Sequence, residues 1–278
     1  MDFFLTLLVD GVLSGAIYAL VALAFVLVWR ASRMMNFALG EWMMVAAVLA
    51  GGGAALPLGA IGGLALAALG MLALAWAFWR IVVRRIADGP ALSSIMATLG
   101  LGMVLRGGAA LSGASLAPLA LPIGKPEAAA VALLCTVAVA AWWRWSRSGV
   151  ALRAIADDRQ AAMAMGIDVD RHLLAVWLLT GGVSLVAGLL WTSVIGGGFG
   201  VVLVGLKVFP IVILGGVDSI AGTLVAAVAV GVLESLGAGY LDRPLGAGFG
   251  GIAPYLALLA MLVLRPHGLF GRARVERV

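Results

Sequence analysis

WMMVAAVLAGGGAALPLGAIGGLALAALGMLALAWAFW, residues 42–79, carries no charge over 38 consecutive positions and is interrupted only by Gly51-Gly52-Gly53 and Pro57. A helix needs about 20 residues to cross a hydrocarbon core of ~30 Å, so the stretch reads as two spans joined by a tight turn. Further uncharged runs occupy 11–29, 128–143, 173–206 and 244–264. Hydrophobic residues make up 64% of the chain and charged residues 11%, against roughly 25% charged in an average soluble domain. The 39 glycines suit transmembrane helices, where small residues let backbones approach. The 278 residues fit one domain, 1–278, built as a bundle of about eight helices. The expected class is an all-α, polytopic membrane protein whose partners include membrane lipid. The lone Cys135 lies in an expected span and forms no internal disulfide. The first apolar run starts Met1-Asp2, lacks a basic leader and meets Arg30, so it is expected to remain as the first helix rather than act as a signal peptide.

The net charge of +5 does not imply nucleic acid, because the basic residues fall in discrete gaps between spans. Arg30 and Arg33 form one group, and Arg80, Arg84 and Arg85 a second. Arg144, Arg147, Arg153, Arg159 and Arg171 form a third, and Arg265, Arg272, Arg274 and Arg277 a fourth. These hold 14 of the 18 Lys and Arg residues, while the gaps at 51–57 and 196–200 hold none. Such alternation is the positive-inside signature and predicts the amino terminus outside and the carboxyl terminus inside.

The pattern predicts helices over 5–29, 37–50, 58–82, 92–111, 128–145, 173–195 and 252–264. Pro90 sits where a helix start tolerates it. Residues 112–127, with Pro118, Pro122 and Pro126, read as an external loop. Trp142, Trp143 and Trp145 suggest an aromatic belt. The region 201–236 holds two short apolar runs around Leu214-Gly-Gly-Val-Asp-Ser-Ile-Ala-Gly222 and is expected to be a broken or re-entrant pair.

The longest polar stretch between spans is 144–171, on the expected cytoplasmic side. Within it, 154–165 lacks Gly and Pro and is expected to be one helix stopped by Gly166. Ile155, Ala162 and Met163 share one side on a 3.6-residue period, and Asp157, Asp158 and Arg159 cluster elsewhere. A short helix of this kind suits docking into a groove of a soluble partner; a solvated loop is the alternative. Asn36 and Glu41 open the second helix, where they suit capping of free N–H groups and the positive dipole end, or a gating role. Lys207 and Glu234 interrupt apolar sequence, where ionisable groups are functional candidates unless they snorkel to an interface. Gly215, Gly216 and Gly222 permit a turn and close packing. His172 and His267 have no partner cluster, so no metal site is expected, and no cofactor. No Gly-x-x-x-x-Gly-Lys-Ser/Thr stretch occurs, so the chain is expected neither to hydrolyse ATP nor to hold a catalytic residue. Grouped His, Asp, Glu, Ser or Cys at one depth, as a membrane-embedded enzyme needs, are not evident.

Several segments carry a family resemblance. Gln160-Ala-Ala-Met-Ala-Met-Gly166 resembles the Glu-Ala-Ala-x-x-x-Gly loop of bacterial ABC importer permeases, with Gln160 in place of Glu. Met35-Asn-Phe-Ala-Leu-Gly-Glu41, Gly205-Leu-Lys-Val-Phe209 with its continuation to Gly222, and Arg265-Pro-His-Gly-Leu-Phe-Gly271 are similar to segments of the branched-chain amino acid permeases of LivH type. Leu39 replaces the usual His, and Asp218 stands where a glycine is common. The resemblance implies a multi-pass subunit of the bacterial inner membrane that imports a branched-chain amino acid or similar solute, with urea, short amides and aromatic acids as alternatives. It implies a second permease subunit, two ATP-binding subunits and a periplasmic substrate-binding protein. It makes 146–171 the coupling loop, with Gln160, Ala161, Ala162 and Gly166 as ATPase-coupling residues. The candidates for the translocation path are Asn36, Glu41, Lys207, Gly215, Gly216 and Glu234. A self-sufficient secondary transporter with broken helices and midplane charges is the rival reading.

Overall fold

The computed structural model describes residues 2–55, 57, 59–86, 89–111, 119–245, 248–265 and 268–270. In these, the chain is helical and without strands: α1 (Asp2–Ser32), α2 (Leu39–Ala54) and α3 (Gly59–Phe78), which continues through a π-helical turn, Trp79–Val83, into α4 (Arg84–Ile86). Then follow α5 (Ala91–Leu111), α6 (Lys125–Trp145), α7 (Arg147–Asp157), α8 (Arg159–Ala164), α9 (Val169–Ile195), α10 (Phe199–Gly215), α11 (Ile220–Tyr240), α12 (Asp242–Leu245) and α13 (Phe249–Leu264). Six of these stretches are long and apolar enough to cross a membrane, and α2, α10 and α13 are shorter apolar helices. The protein is an all-α, multi-pass membrane bundle.

The organising element is α1. From Ile17 to Val28 every side chain is buried, because α6, α9, α10 and α11 surround it. Its approach to α11 is set by Gly11, Gly15 and Gly231. A Cβ on Gly11 would lie 2.6 Å from the Cα of Val232, and one on Gly15 would lie 2.6 Å from the Cα of Val228. In lipid, where apolar contact alone gives helices little reason to associate, such close backbone packing is a main source of affinity between them. The uncharged stretch at 42–79 forms the expected antiparallel pair, α2 and α3, whose crossing at Gly53 and Gly63 leaves no room for a Cβ. Outward faces remain apolar: Met103, Val104, Leu134, Val263 and Leu264 are exposed, as a lipid-facing surface requires.

Three expectations change in detail. The pair at 201–236 is two helices broken at 216–219, and α11, at 21 residues, is long enough to span; α10 is short, at 17 residues, with Pro210 inside. The single helix over 154–165 is two, α7 and α8, because Asp158 adopts an extended backbone and caps a new helix. The tryptophan belt is incomplete: Trp145 is exposed, whereas Trp143 is buried and carries the Arg30 guanidinium over its ring at 5.6 Å. The expected helix start at Leu58, residues 112–118 of the loop, His267, Arg272, Arg274 and Arg277 lie outside the described residues.

Candidate functional site

Among the described residues, the basic gaps converge at one end of the bundle. Arg33 pairs with Asp218 at 2.9 Å, and Arg84 pairs with Asp170 at the start of α9, also at 2.9 Å. Residues 268–270 reach the same end: Leu269 N–H donates to Leu214 O at 2.8 Å and Phe270 N–H to Gly215 O at 3.3 Å. These bonds satisfy carbonyls that the end of α10 leaves free. A cleft of about 560 Å³ opens there between Arg30, Arg33, Asp157, Asp218 and Phe270. The loop 146–171 covers this end, and its shape follows from three caps. Ser146 Oγ accepts from Gly149 N–H at 2.9 Å. Asp158 Oδ1 accepts from Gln160 N–H at 2.8 Å and Ala161 N–H at 3.0 Å, and Asp168 Oδ1 accepts from Arg171 N–H at 3.0 Å. The short α8 closes on Gly166, whose φ of +81° allows Ile167 N–H to reach Ala162 O and Gly166 N–H to reach Met163 O. That double turn-back is the Schellman arrangement. Gly166 is therefore the stop that the sequence predicts.

The α8 surface is divided. Gln160, Ala161, Met163, Ala164 and Met165 are exposed, with Met165 at 84%. Ala162 is buried within the chain itself, at 4%. Of the four coupling candidates, Gln160, Ala161 and Gly166 are on the outside, and Ala162 instead seats α8 on the bundle.

From the middle of the helices toward the opposite end runs a network of charges. Lys207 of α10 forms an ion pair with Glu234 of α11, and Tyr18 of α1 donates to Glu234 Oε2 at 2.8 Å. Neither Lys207 nor Glu234 snorkels to an interface alone; they neutralise one another, as ionisable groups in lipid must. One layer further along, Lys125 at the start of α6 pairs with Asp10 of α1 at 2.5 Å, and Ser235 Oγ donates to Asp10 Oδ2 at 3.3 Å. These residues line a groove of about 290 Å³.

Asn36 and Glu41 have separate roles. Asn36 is buried and its Oδ1 accepts from Ala38 N–H at 3.0 Å, forming a turn that leads into α2. Glu41 stands in the first turn of α2, but its carboxylate pairs across to Arg106 of α5 at 2.5 Å. Close by, Gly40 and Gly205 cross so tightly that a Cβ on Gly205 would lie 2.3 Å from the Cα of Gly40, and Phe37 stacks on Phe209 at 4.3 Å. The two motifs, 36–41 and 205–209, are thus two sides of one crossing. Gly215 and Gly222 make a second: a Cβ on Gly222 would lie 2.1 Å from Gly215 O. Gly216, at φ +93°, ends α10. Asp218, where a glycine is common in the resembled segment, supplies the partner for Arg33 and accepts from Trp29 Nε1 at 3.1 Å.

The family model for the branched-chain amino acid transport system permease component matches residues 7–264. The chain belongs to that family. Its relatives include the high-affinity branched-chain amino acid transport system permease proteins LivH of Escherichia coli K12 and of Salmonella typhimurium. Each is 27% identical to this chain over 99% of it and 98% of the relative. The corresponding permease BraD of Pseudomonas aeruginosa is 26% identical, over 99% and 98%. The permease described here is thus similar to these transporter subunits along its full length, and the crossings at Gly40–Gly205 and Gly215–Gly222 fall inside the matched region.

Sequence reasoning passed over Asp10, Tyr18, Arg106 and Lys125. A signal existed for Arg106, a lone cation inside the expected span 92–111, where charge is costly and marks a partner or a function. For Asp10 and Lys125 the spacing of 115 residues left no local trace of their pairing.

Proposed function

We propose that this permease is the membrane-spanning subunit of an ATP-driven importer that carries a branched-chain amino acid across a bacterial inner membrane. It supplies half of the solute path, and a second permease subunit supplies the other half. Two ATP-binding subunits dock on the loop 146–171, and a periplasmic binding protein delivers the cargo. The amino terminus faces outward and the basic end faces the cytoplasm. The observation that carries the reading is α8: a helix with exposed small and Met side chains, fixed by Asp158 and Gly166 at the basic end of a permease-family chain. Gln160, Ala161 and Gly166 form the contact, and Ala162 holds α8 to the bundle so that a push on it reaches α7 and α9. Asn36, Glu41, Lys207, Gly215, Gly216 and Glu234 shape the path. The relatives, named for branched-chain amino acid transport, support the cargo class.

The test is reconstitution. In liposomes the purified chain alone should not accumulate a branched-chain amino acid, whether given ATP or an imposed proton or sodium gradient. Adding the second permease, the ATP-binding subunits and the loaded binding protein should produce ATP-dependent uptake. Gradient-driven accumulation by this chain alone would overturn the proposal and favour a secondary transporter, for which the Lys207–Glu234–Tyr18 network would be the natural relay.

A further inference from the structure

The groove that runs from mid-bundle toward the end opposite the basic cluster sets charged pairs beside an aliphatic wall, which a passive ion lock does not need. Its charged residues come as opposed pairs, Lys207 with Glu234 and Lys125 with Asp10. Beside them, Leu7, Val194, Ile195 and Val204 give the same space an aliphatic wall. At about 290 Å³ it stands at the small end of ligand pockets, which run ~300–1,000 Å³. Trp191 lines it as well, with its ring against that of Tyr18 at 4.9 Å between centroids.

We propose that this groove is a subsite for the head group of a zwitterionic aliphatic amino acid, an inference that rests on the importer reading above. Glu234, with Tyr18 beside it, takes the ammonium. Lys207 takes the carboxylate. The aliphatic wall takes the side chain. In the empty groove Lys207 and Glu234 satisfy one another, which avoids the cost of an uncompensated charge among apolar helices. A zwitterion replaces each partner with an equal charge, so the pair opens without stranding either ion. A cargo with one charge satisfies only one of them.

The experiment uses the assembled transporter with Cys135→Ala and Ser14→Cys, since Ser14 lines the groove, and follows modification by a water-soluble maleimide. Millimolar leucine should slow labelling at least fivefold. 4-Methylpentanoate, which lacks the ammonium, and isoamylamine, which lacks the carboxylate, should not. In Glu234→Gln the protection by leucine should disappear. The charge swap K207E/E234K keeps the pair but reverses its polarity, so it should still assemble and unfold cooperatively and lose leucine uptake at least tenfold. Absence of leucine protection, equal protection by a singly charged analogue, or normal uptake by the swap would overturn the subsite. If the wild-type complex imports leucine while any of these holds, only the subsite fails. If the wild-type complex imports no leucine, the importer reading itself fails.

Discussion

Arg106→Met separates two accounts of Glu41. The Glu41 side chain is 8% exposed and that of Arg106 is 48% exposed, so removing the cation strands a buried carboxylate, whereas removing the carboxylate strands a cation already half in the open. Breaking a buried pair from one side costs ~3–5 kcal/mol, and the partial exposure of Arg106 puts this site at the low end. Arg106→Met should therefore lose about 3 kcal/mol. Glu41→Gln should lose only ~1 kcal/mol, the scale of one ordinary hydrogen bond. In the double variant nothing charged is left stranded, so it should lose about 2 kcal/mol rather than the additive ~4, a coupling energy of about 2 kcal/mol. A helix-capping role makes a different forecast. Glu41→Gln would then lose ~0.3–1 kcal/mol through the α2 dipole, and Arg106→Met would lose nothing. The measurement is SDS-induced unfolding of the purified permease in mixed micelles, followed by tryptophan fluorescence, for wild type, both singles and the double. An Arg106→Met variant within ~0.5 kcal/mol of wild type, or strict additivity in the cycle, would refute the pairing argument.

The remaining predictions concern packing, coupling and orientation. Gly222→Ala inserts a methyl 2.1 Å from Gly215 O and should cost about 1–3 kcal/mol by overpacking, read as a lower unfolding midpoint; an unchanged midpoint would mean the crossing is looser than described. Ala161→Arg, on the exposed face of α8, should leave the permease as stable as wild type but uncouple ATP hydrolysis from uptake in the reconstituted complex. Ala162→Arg should instead lower stability itself, since that side chain is buried, and full transport by the Ala161→Arg variant would remove α8 as the coupling element. With Cys135→Ala as background, Ala120→Cys should react with an impermeant thiol reagent on intact cells, and Ala164→Cys only after permeabilisation. The opposite pattern would invert the orientation.

The helical, multi-pass character was legible residue by residue. Uncharged runs such as 42–79 admit no other solvent than lipid, and in lipid the backbone must satisfy its own hydrogen bonds, so helices follow. The stop at Gly166 was legible too, because a left-handed residue at a helix end is a local requirement that glycine meets at little cost. Local chemistry also contained the break at Asp158, since an Asp side chain competes for nearby N–H groups. That signal was outweighed by the absence of Gly and Pro from 154–165.

What only the tertiary structure decided is which residues meet. Asp10 finds Lys125, Glu41 finds Arg106 and Lys207 finds Glu234, across separations that local periodicity does not encode. Ala162 and Met163 sit side by side in sequence and were assigned to one face, yet one is buried and the other half exposed, because the direction of α8 depends on how α7 and α9 hold it. A charge in a span announces that it has a partner, since the cost of isolation in lipid is too high. Its identity depends on which helix faces cross, and those crossings were set by pairs such as Gly40–Gly205 and Gly11–Gly231, where two distant positions both lack a side chain. Composition and order along the chain determine that helices form and where they end; the choice of neighbours belongs to three-dimensional packing, because only there do separate spans share one volume.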